Sequence, residues 1–420
     1  MKSILVAAHT LGCKVNQCDT DAVLGRLTDI GCTICHFNDA ADIYIINTCT
    51  VTHASDKKSR QMIRRARKQN PDAMVAVCGC MTQNVEEDFE NTLGIDFVFD
   101  ARNPDAFVQK IFEMGARAGD LSPTTHKTRT RAFVKIQDGC DRFCAYCIVP
   151  YVRGNPKSRP VVNILGEIKG LITSGVQEIV LTGIQVASYG EDSGDTNLVA
   201  LMQQILSLNG LQRLRLSSIE PCAITDEFLT VTALSPVLCD HFHLSLQSGS
   251  DSVLQRMNRR YTTTEYAKIA ESLRKILPNV ALTTDIIVGF PGETDEEFNE
   301  SLAFVQKIGF ARVHVFEYSK REGTVAAALP NQVPDSIKSE RSKQMRGLAA
   351  ALQLDFYNAQ VGKTIPIPVL FETQKAGKWQ GHTSNYCPVQ AKFDNNLSNT
   401  IQQVNITGYT QDGLEGVIIP

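Results

Sequence analysis

Aromatic surface and net charge are both scarce in this chain. One tryptophan and an aromatic content of 7% leave few flat platforms for stacking bases. A formal net charge of −3 excludes a global basic field, so any nucleic-acid binding must come from local patches. No apolar run is long enough to span a membrane, and the opening Met1-Lys2-Ser3-Ile4-Leu5-Val6-Ala7-Ala8-His9 is too short for an export signal. A P-loop, a zinc-protease helix motif and a nucleophile elbow are also missing, which removes the commonest hydrolase signatures. Cysteine is plentiful. Thirteen of them, an odd number in a chain expected to be cytoplasmic, point to metal or sulfur chemistry rather than disulfides. With 420 residues, 43% of them hydrophobic, there is room for about three globular cores.

Hydrophobic periodicity divides the chain. In residues 1–112, apolar runs at 4–8, 42–47, 73–78 and 97–99 read as buried strands, alternating with amphipathic stretches near 20–29, 55–69, 84–91 and 104–112. That alternation predicts an α/β domain with a doubly wound parallel sheet. Residues 115–131 lose the pattern and read as a linker. Six strand–helix units follow, with strands at 132–136, 178–182, 213–217, 242–246, 281–288 and 312–318, predicting an open, partial (β/α)6 barrel. Thr294 with Glu297 makes a capping box at the start of its last helix. From about 361 the segments 365–372, 378–382, 386–393, 400–407 and 415–419 are short and β-branched, predicting a five-stranded antiparallel β-barrel.

Cys140, Cys144 and Cys147 lie in one short loop after the first barrel strand. Three thiolates can hold three corners of a cubane iron–sulfur cluster and leave the fourth iron open to a small molecule. The competing reading is a structural zinc loop, but zinc usually wants four protein ligands and no nearby fourth appears. The spacing, with Tyr146 before the last cysteine, resembles the signature of radical S-adenosylmethionine enzymes. That resemblance implies a 4Fe–4S cluster that binds S-adenosyl-L-methionine. Ligands sit beyond the carboxyl ends of parallel strands. There the later barrel strands carry Gly183, Glu220, Gln247 and Glu293, candidates to hold hydroxyls or an amine. Tyr146, Gly183, Glu220 and Gln247 are the residues expected to hold S-adenosylmethionine.

The same rule gathers Cys13, Cys49 and Cys80 from three separate strand ends of the N-terminal domain, again one ligand short of a cluster. The runs around them, residues 11–17, 47–52 and 58–65, together with 138–154, 243–251 and 318–324, closely resemble the tRNA methylthiotransferases. Lys14-Val15-Asn16-Gln17 is similar to the branch acting on N6-threonylcarbamoyladenosine beside the anticodon. The resemblance implies a methylthiotransferase domain (1–114), a radical S-adenosylmethionine core (126–356) and a TRAM-like barrel (359–420). It further implies two 4Fe–4S clusters, on Cys140/Cys144/Cys147 and on Cys13/Cys49/Cys80, a tRNA substrate and an electron-donor protein. The alternatives are a methylthiotransferase acting on isopentenyl-adenosine or a ribosomal-protein aspartate, and a non-catalytic RNA-binding protein with structural metals.

Cys18 and Cys78 lie close enough to the expected ligands to allow a swap. Cys32 and Cys35 read as core packing, and Cys222, Cys239 and Cys387 as small buried hydrophobes. Lys57, Arg60, Arg64 and Arg67 share one helix face, where they either meet tRNA phosphates or are simply solvated. Lys127, Arg129 and Arg131 carry the same ambiguity. The tail barrel is charge-balanced, and its Phe371, Trp379, Tyr386 and Phe393 either stack on bases or fill its core.

Overall fold

The structure, a computed structural model, describes residues 3–83, 93–114 and 130–419. The helix expected near 84–91 and most of the linker, with Lys127 and Arg129, lie outside these. No helix among the described residues is long and apolar enough to cross a membrane.

The N-terminal sheet comprises β1 (Leu5–Thr10), β2 (Thr33–Cys35), β3 (Ile43–Thr48), β4 (Met74–Gly79) and β5 (Phe97–Val98), all parallel in the order β2-β1-β3-β4-β5. Separate apolar clusters cover its two faces, so the domain is doubly wound. The helix expected at 20–29 is longer, α1 (Lys14–Asp29), and starts directly after Cys13. Its Asn16, Asp19 and Thr20 are buried, which blurs the amphipathic pattern that would have marked its first turns. The second helix, α2 (His53–Gln69), is capped by Thr52, whose side chain accepts from the Ser55 N–H.

The central region contains β6 (Arg131–Asp138), β7 (Lys157–Ser158), β8 (Glu178–Gly183), β9 (Arg213–Leu216), β10 (Ser218–Ile219), β11 (His241–Leu244), β12 (Ala281–Val288) and β13 (Arg312–Glu317). The six expected strands are β6, β8, β9, β11, β12 and β13. With β7 and β10 they form two four-stranded sheets, β7-β6-β8-β9 and β10-β11-β12-β13, joined by a parallel bridge between Leu214 and Leu238. Alternation along the strands sends Ala132, Val134, Ile136, Leu214, Leu216, Phe242 and Leu244 to the helix layer and leaves their neighbours facing the lumen. The Thr294–Glu297 capping box is present.

The tail forms a closed barrel of β14 (Ile367–Lys375), β15 (Lys378–Thr383), β16 (Pro388–Ala391), β17 (Thr400–Thr410) and β18 (Gly413–Ile418), in the order β14-β15-β16-β18-β17. It is not purely antiparallel as expected, because β16 and β18 pair in parallel. The reason is geometric: a closed ring with an odd number of strands cannot alternate direction throughout. Phe371 and Trp379 fill this barrel's core, and Phe393 stays on its surface.

Tyr386 lies instead at the junction with the central region. There Arg131 donates to Glu372 Oε1 at 2.9 Å and to the Tyr386 hydroxyl at 2.9 Å, so Arg131 serves the domain junction. Arg213 and Arg215 donate to the His382 and Ser384 carbonyls. The barrel is thus docked at the amino ends of the central strands and leaves their carboxyl ends free. Burial opposes ionisation of Glu372, but bonds from His382 and Arg131 outweigh it and hold the carboxyl at about 2. A depressed carboxyl stabilises the dock above its ordinary value of 4.5 and loses that contribution as pH falls toward about 2. Acid titration of the wild type should therefore loosen the tail barrel in this window. Glu372→Gln should abolish the acid step, as read by hydrogen exchange at the junction.

Candidate functional site

All thirteen cysteines are free. The loop carrying Cys140, Cys144 and Cys147 is pinned from several sides. Cys140 N–H donates to the Gly154 carbonyl at 2.9 Å, Ala145 N–H to Met257 at 3.0 Å, and Cys147 N–H closes a turn on Cys144. Gly139, at φ +74°, lets the chain pass under residue 155, since a Cβ there would sit 2.0 Å from the Asn155 carbonyl oxygen. Burial pushes the Cys147 thiol up to about 12, and the neighbouring Cys144 and Cys140 add to the shift. Burial raises the Cys140 thiol as well.

The second set sits at the carboxyl ends of β1, β3 and β4. Gly12, at φ +96°, lies against Cys49: a Cβ there would be 2.9 Å from the Cys49 Cβ and 3.1 Å from its Sγ. Asn16 fixes the same loop, donating to the Leu11 and Thr48 carbonyls at 2.8 and 3.0 Å. Burial raises the Cys49 and Cys80 thiols, and the sites are close enough to influence one another electrostatically. Among the described residues no three His, Cys, Asp or Glu side chains converge tightly enough for a single metal ion. Zinc, with Zn–S bonds of about 2.3 Å, would draw its sulfurs to within about 4 Å of one another; a cubane holds its thiolates farther apart. Each set offers three free thiols, the donor chemistry that a cubane with one open iron takes.

The extra thiols are engaged elsewhere. Cys18 donates to the Phe133 carbonyl at 3.5 Å, and its thiol is pushed up to about 12, chiefly by burial. Cys78 and Cys32 belong to one apolar cluster, and Cys35 edges another. Cys239 and Cys387 are buried as expected. Cys222 is not: it is exposed beside Glu220, its Sγ 3.9 Å from Oε2. The short turn of Pro221–Ala223 leaves it on the rim instead of in the core.

Three arginines that the sequence did not single out organise both sites. Arg153, on the helix Val149–Arg153, donates to both Asp138 oxygens at 2.9 and 3.0 Å and to Asn16 Oδ1, and lies 3.5 Å from Asp19. Its positive charge beside Cys80 partly offsets the effect of burial on that thiol. Cys80 itself packs on Ile148 and Val152, so the two thiol sets share one wall. Arg259 donates to Cys144 Sγ at 3.1 Å and pairs with Glu220 at 2.9 Å. Arg321, after β13, bonds Thr50 Oγ1 and Asp56 at 2.6 Å each, tying the loop after Cys49 to the central rim.

The expected rim residues fare differently. Gly183 abuts Gln137, whose side-chain oxygen lies 3.0 Å from the position of its missing Cβ. Gln247, at φ +74°, is fixed by backbone bonds to Asp285 and Ile287. Tyr146 packs against the Phe290–Tyr318 cluster, and burial raises its phenol well above the ordinary range. Glu220 is taken up by Arg259, Arg142 and Gln185, and borders a cavity of about 260 Å³ beside Cys144. Glu293 is buried, and its carboxylate is engaged by Arg341 at 2.7 Å and the Gly289 N–H at 2.6 Å. On α2, Arg67 is spent on Asp96 and the Pro71, Ala73 and Gly94 carbonyls, whereas Lys57 and Arg64 remain exposed.

Comparison with known proteins agrees with this layout. A model of the radical SAM superfamily matches residues 134–305, and one described as uncharacterized protein family UPF0004 matches residues 5–100. The chain is 39% identical to the threonylcarbamoyladenosine tRNA methylthiotransferase MtaB of Bacillus subtilis, over 96% of this chain and 93% of that protein. It is 32% identical to the tRNA-2-methylthio-N(6)-dimethylallyladenosine synthase of Acetivibrio thermocellus, over 100% and 92%. Among solved structures, the radical S-adenosylmethionine methyltransferase TsrM from Kitasatospora setae has the same fold, with a TM-score of 0.57 at 14% identity over 78% of this chain and 77% of that one. The chain belongs to the radical S-adenosylmethionine tRNA methylthiotransferase family.

Proposed function

We propose that this enzyme adds a methylthio group at C2 of N6-threonylcarbamoyladenosine in tRNA. The observation that carries the reading is the shared wall between the two thiol sets: Cys80 packs on Ile148 and Val152, one helical turn beyond Cys147. We assign Cys140, Cys144 and Cys147 to one 4Fe–4S cluster and Cys13, Cys49 and Cys80 to a second. When bound, these clusters and S-adenosylmethionine supply radical hydrogen abstraction, sulfur donation and methyl transfer. The chain's own residues hold and shield. Arg153 fixes the spacing between the sets, Arg259 places a positive charge against Cys144, and Arg321 anchors the loop after Cys49. Tyr146, Gly183, Gln247 and Glu220 form the rim assigned to S-adenosylmethionine, Glu220 being held in place by its two arginines.

The choice of nucleoside rests on Lys14-Val15-Asn16-Gln17 and on the relatives named for threonylcarbamoyladenosine. Relatives named for dimethylallyladenosine give the second reading its support. We assign the three domains to 1–114, 126–356 and 359–420, the enzyme to the cytoplasm, and an electron-donor protein as its partner. Deleting the gene should eliminate 2-methylthio-N6-threonylcarbamoyladenosine from tRNA hydrolysates and leave the unthiolated nucleoside in its place, as read by mass spectrometry. An unchanged level of the thiolated nucleoside would refute the assignment.

A further inference from the structure

The lumen of the central barrel holds a cation without a carboxylate. Lys14 follows Cys13 directly, at the start of α1, and its ammonium reaches into the barrel, 5.8 Å from the centre of the Phe133 ring. Phe133 is a lumen position, since Ala132 and Val134 on either side pack outward. The charges that act on Lys14 are those of Arg215, Arg131 and Glu178, and Lys14 in turn acts on His241 and His314. All five lie on strands of this barrel. Lys14 itself is exposed to solvent, so a ligand can reach it.

Two of the nearby carboxylates are matched by arginines, and a third, Asp285, has only a histidine beside it. Glu178 is held by Arg215 at 2.7 Å, with Arg213 at 3.8 Å; Glu372 is held by Arg131; Asp285 lies 3.2 Å from His243. Among the described residues no ion pair or hydrogen bond engages the Lys14 ammonium. Further lumen groups also lack hydrogen-bond partners, among them Nε2 of His243. The Ser217 hydroxyl, on a side chain 6% exposed, and Nδ1 of His241, 7% exposed, have no hydrogen-bond partner. Buried polar atoms are rarely left so unless something else completes them. An unpaired cation, a buried hydroxyl and a buried imidazole, all facing the lumen, are groups that suit an anionic, hydrogen-bonding ligand.

We propose that Lys14 is a specificity-determining residue that receives the carboxylate of the N6-threonylcarbamoyl arm, with Ser217 and His241 serving the arm's hydroxyl and ureido groups. The inference rests on the nucleoside assigned above and adds how it is told from its rival. A dimethylallyl arm is pure hydrocarbon: placed here it would strip water from Lys14 and offer nothing in return.

The test is binding by the enzyme with both clusters reconstituted. The probes are anticodon stem-loops carrying N6-threonylcarbamoyladenosine, its methyl ester, or unmodified adenosine. Wild type should bind the acid roughly tenfold tighter than the ester, the worth of one charge-assisted bond. Lys14→Gln should bind acid and ester alike and keep its affinity for unmodified adenosine, and Lys14→Arg should keep a preference for the acid. Wild type that ignores esterification overturns the proposal, and this comparison needs no variant. A Gln variant that still prefers the acid overturns it too. So does equal weakening on all three probes, which marks a phosphate contact. Failure of the nucleoside assignment looks different: methylthio product then forms on dimethylallyladenosine tRNA and not on the threonylcarbamoyl form, whatever the binding ratios.

Discussion

Cys49→Ser is expected to cut bound iron about in half, from roughly eight atoms per chain to roughly four, while reductive cleavage of S-adenosylmethionine continues and methylthio product disappears. The reasoning is local. Cys49 sits beneath Gly12 at the end of β3, and Gly12 has no Cβ to keep the Cys13 loop away from it. A serine hydroxyl fits that space but is a hard, poorly acidic donor, ill matched to iron–sulfur ligation. The other thiol set lies on a different loop, pinned by Gly154 and Met257, and does not depend on Cys49. Iron and sulfide analysis, with 5′-deoxyadenosine and methylthio product counted in one anaerobic assay, separates the two functions. Cys18→Ser is the control. Its sulfur is occupied with the Phe133 carbonyl, so full iron content and product are expected. Full iron in Cys49→Ser, or half iron in Cys18→Ser, would show that the second set is drawn wrongly.

Arg153→Met should be the most destabilising single change at the domain junction. The side chain is only 6% exposed, and it answers two buried carboxylates, Asp138 and Asp19. Removing one partner of a buried charge network costs about 3–5 kcal/mol, because the charges left behind cannot regain water. Lys135 pairs with both acids and softens the loss without cancelling it. Arg153→Lys should recover little, since an ammonium cannot span Asn16 and both Asp138 oxygens as the planar fork does. Arg64→Met, on the exposed side of α2, should change stability by no more than about 0.5 kcal/mol. Thermal unfolding ranks the three variants, and iron retention reports the second effect. Because Cys80 shares a wall with Ile148 and Val152 and feels the charge of Arg153, that site should lose iron before the other. Equal stability of Arg153→Met and Arg64→Met would remove Arg153 from its place as the strut between the sites.

Much of the architecture was legible because it follows from local patterns. The six central strands, the capping box at Thr294 and the placement of both thiol sets at strand ends needed only periodicity and the rule that ligands gather at carboxyl ends. What escaped was non-local. β2 is three residues long at a sheet edge, too short to show a period. The first turns of α1 carry polar residues buried by a neighbouring domain, so their pattern looks exposed when it is not. Arg153 and Arg321 meet partners 137 and 271 residues away, and no spacing rule reaches so far. Glu293 likewise meets Arg341, 48 residues on, a partner that no spacing rule reveals. Lys14 was legible as a motif and illegible as a lumen cation, since the second property needs the barrel folded around it.

The central claim is that two unfinished thiol sets cooperate to place a methylthio group on one acidic adenosine. An anaerobic reaction with reconstituted enzyme, S-adenosylmethionine and reductant tests it most directly. Three forms of one tRNA are to be supplied side by side: threonylcarbamoylated, dimethylallylated and unmodified at the same adenosine. The account predicts methylthio product on the threonylcarbamoylated tRNA and little on the other two. Product confined to the dimethylallylated tRNA, or none on any form despite two intact clusters and continued S-adenosylmethionine cleavage, would contradict it.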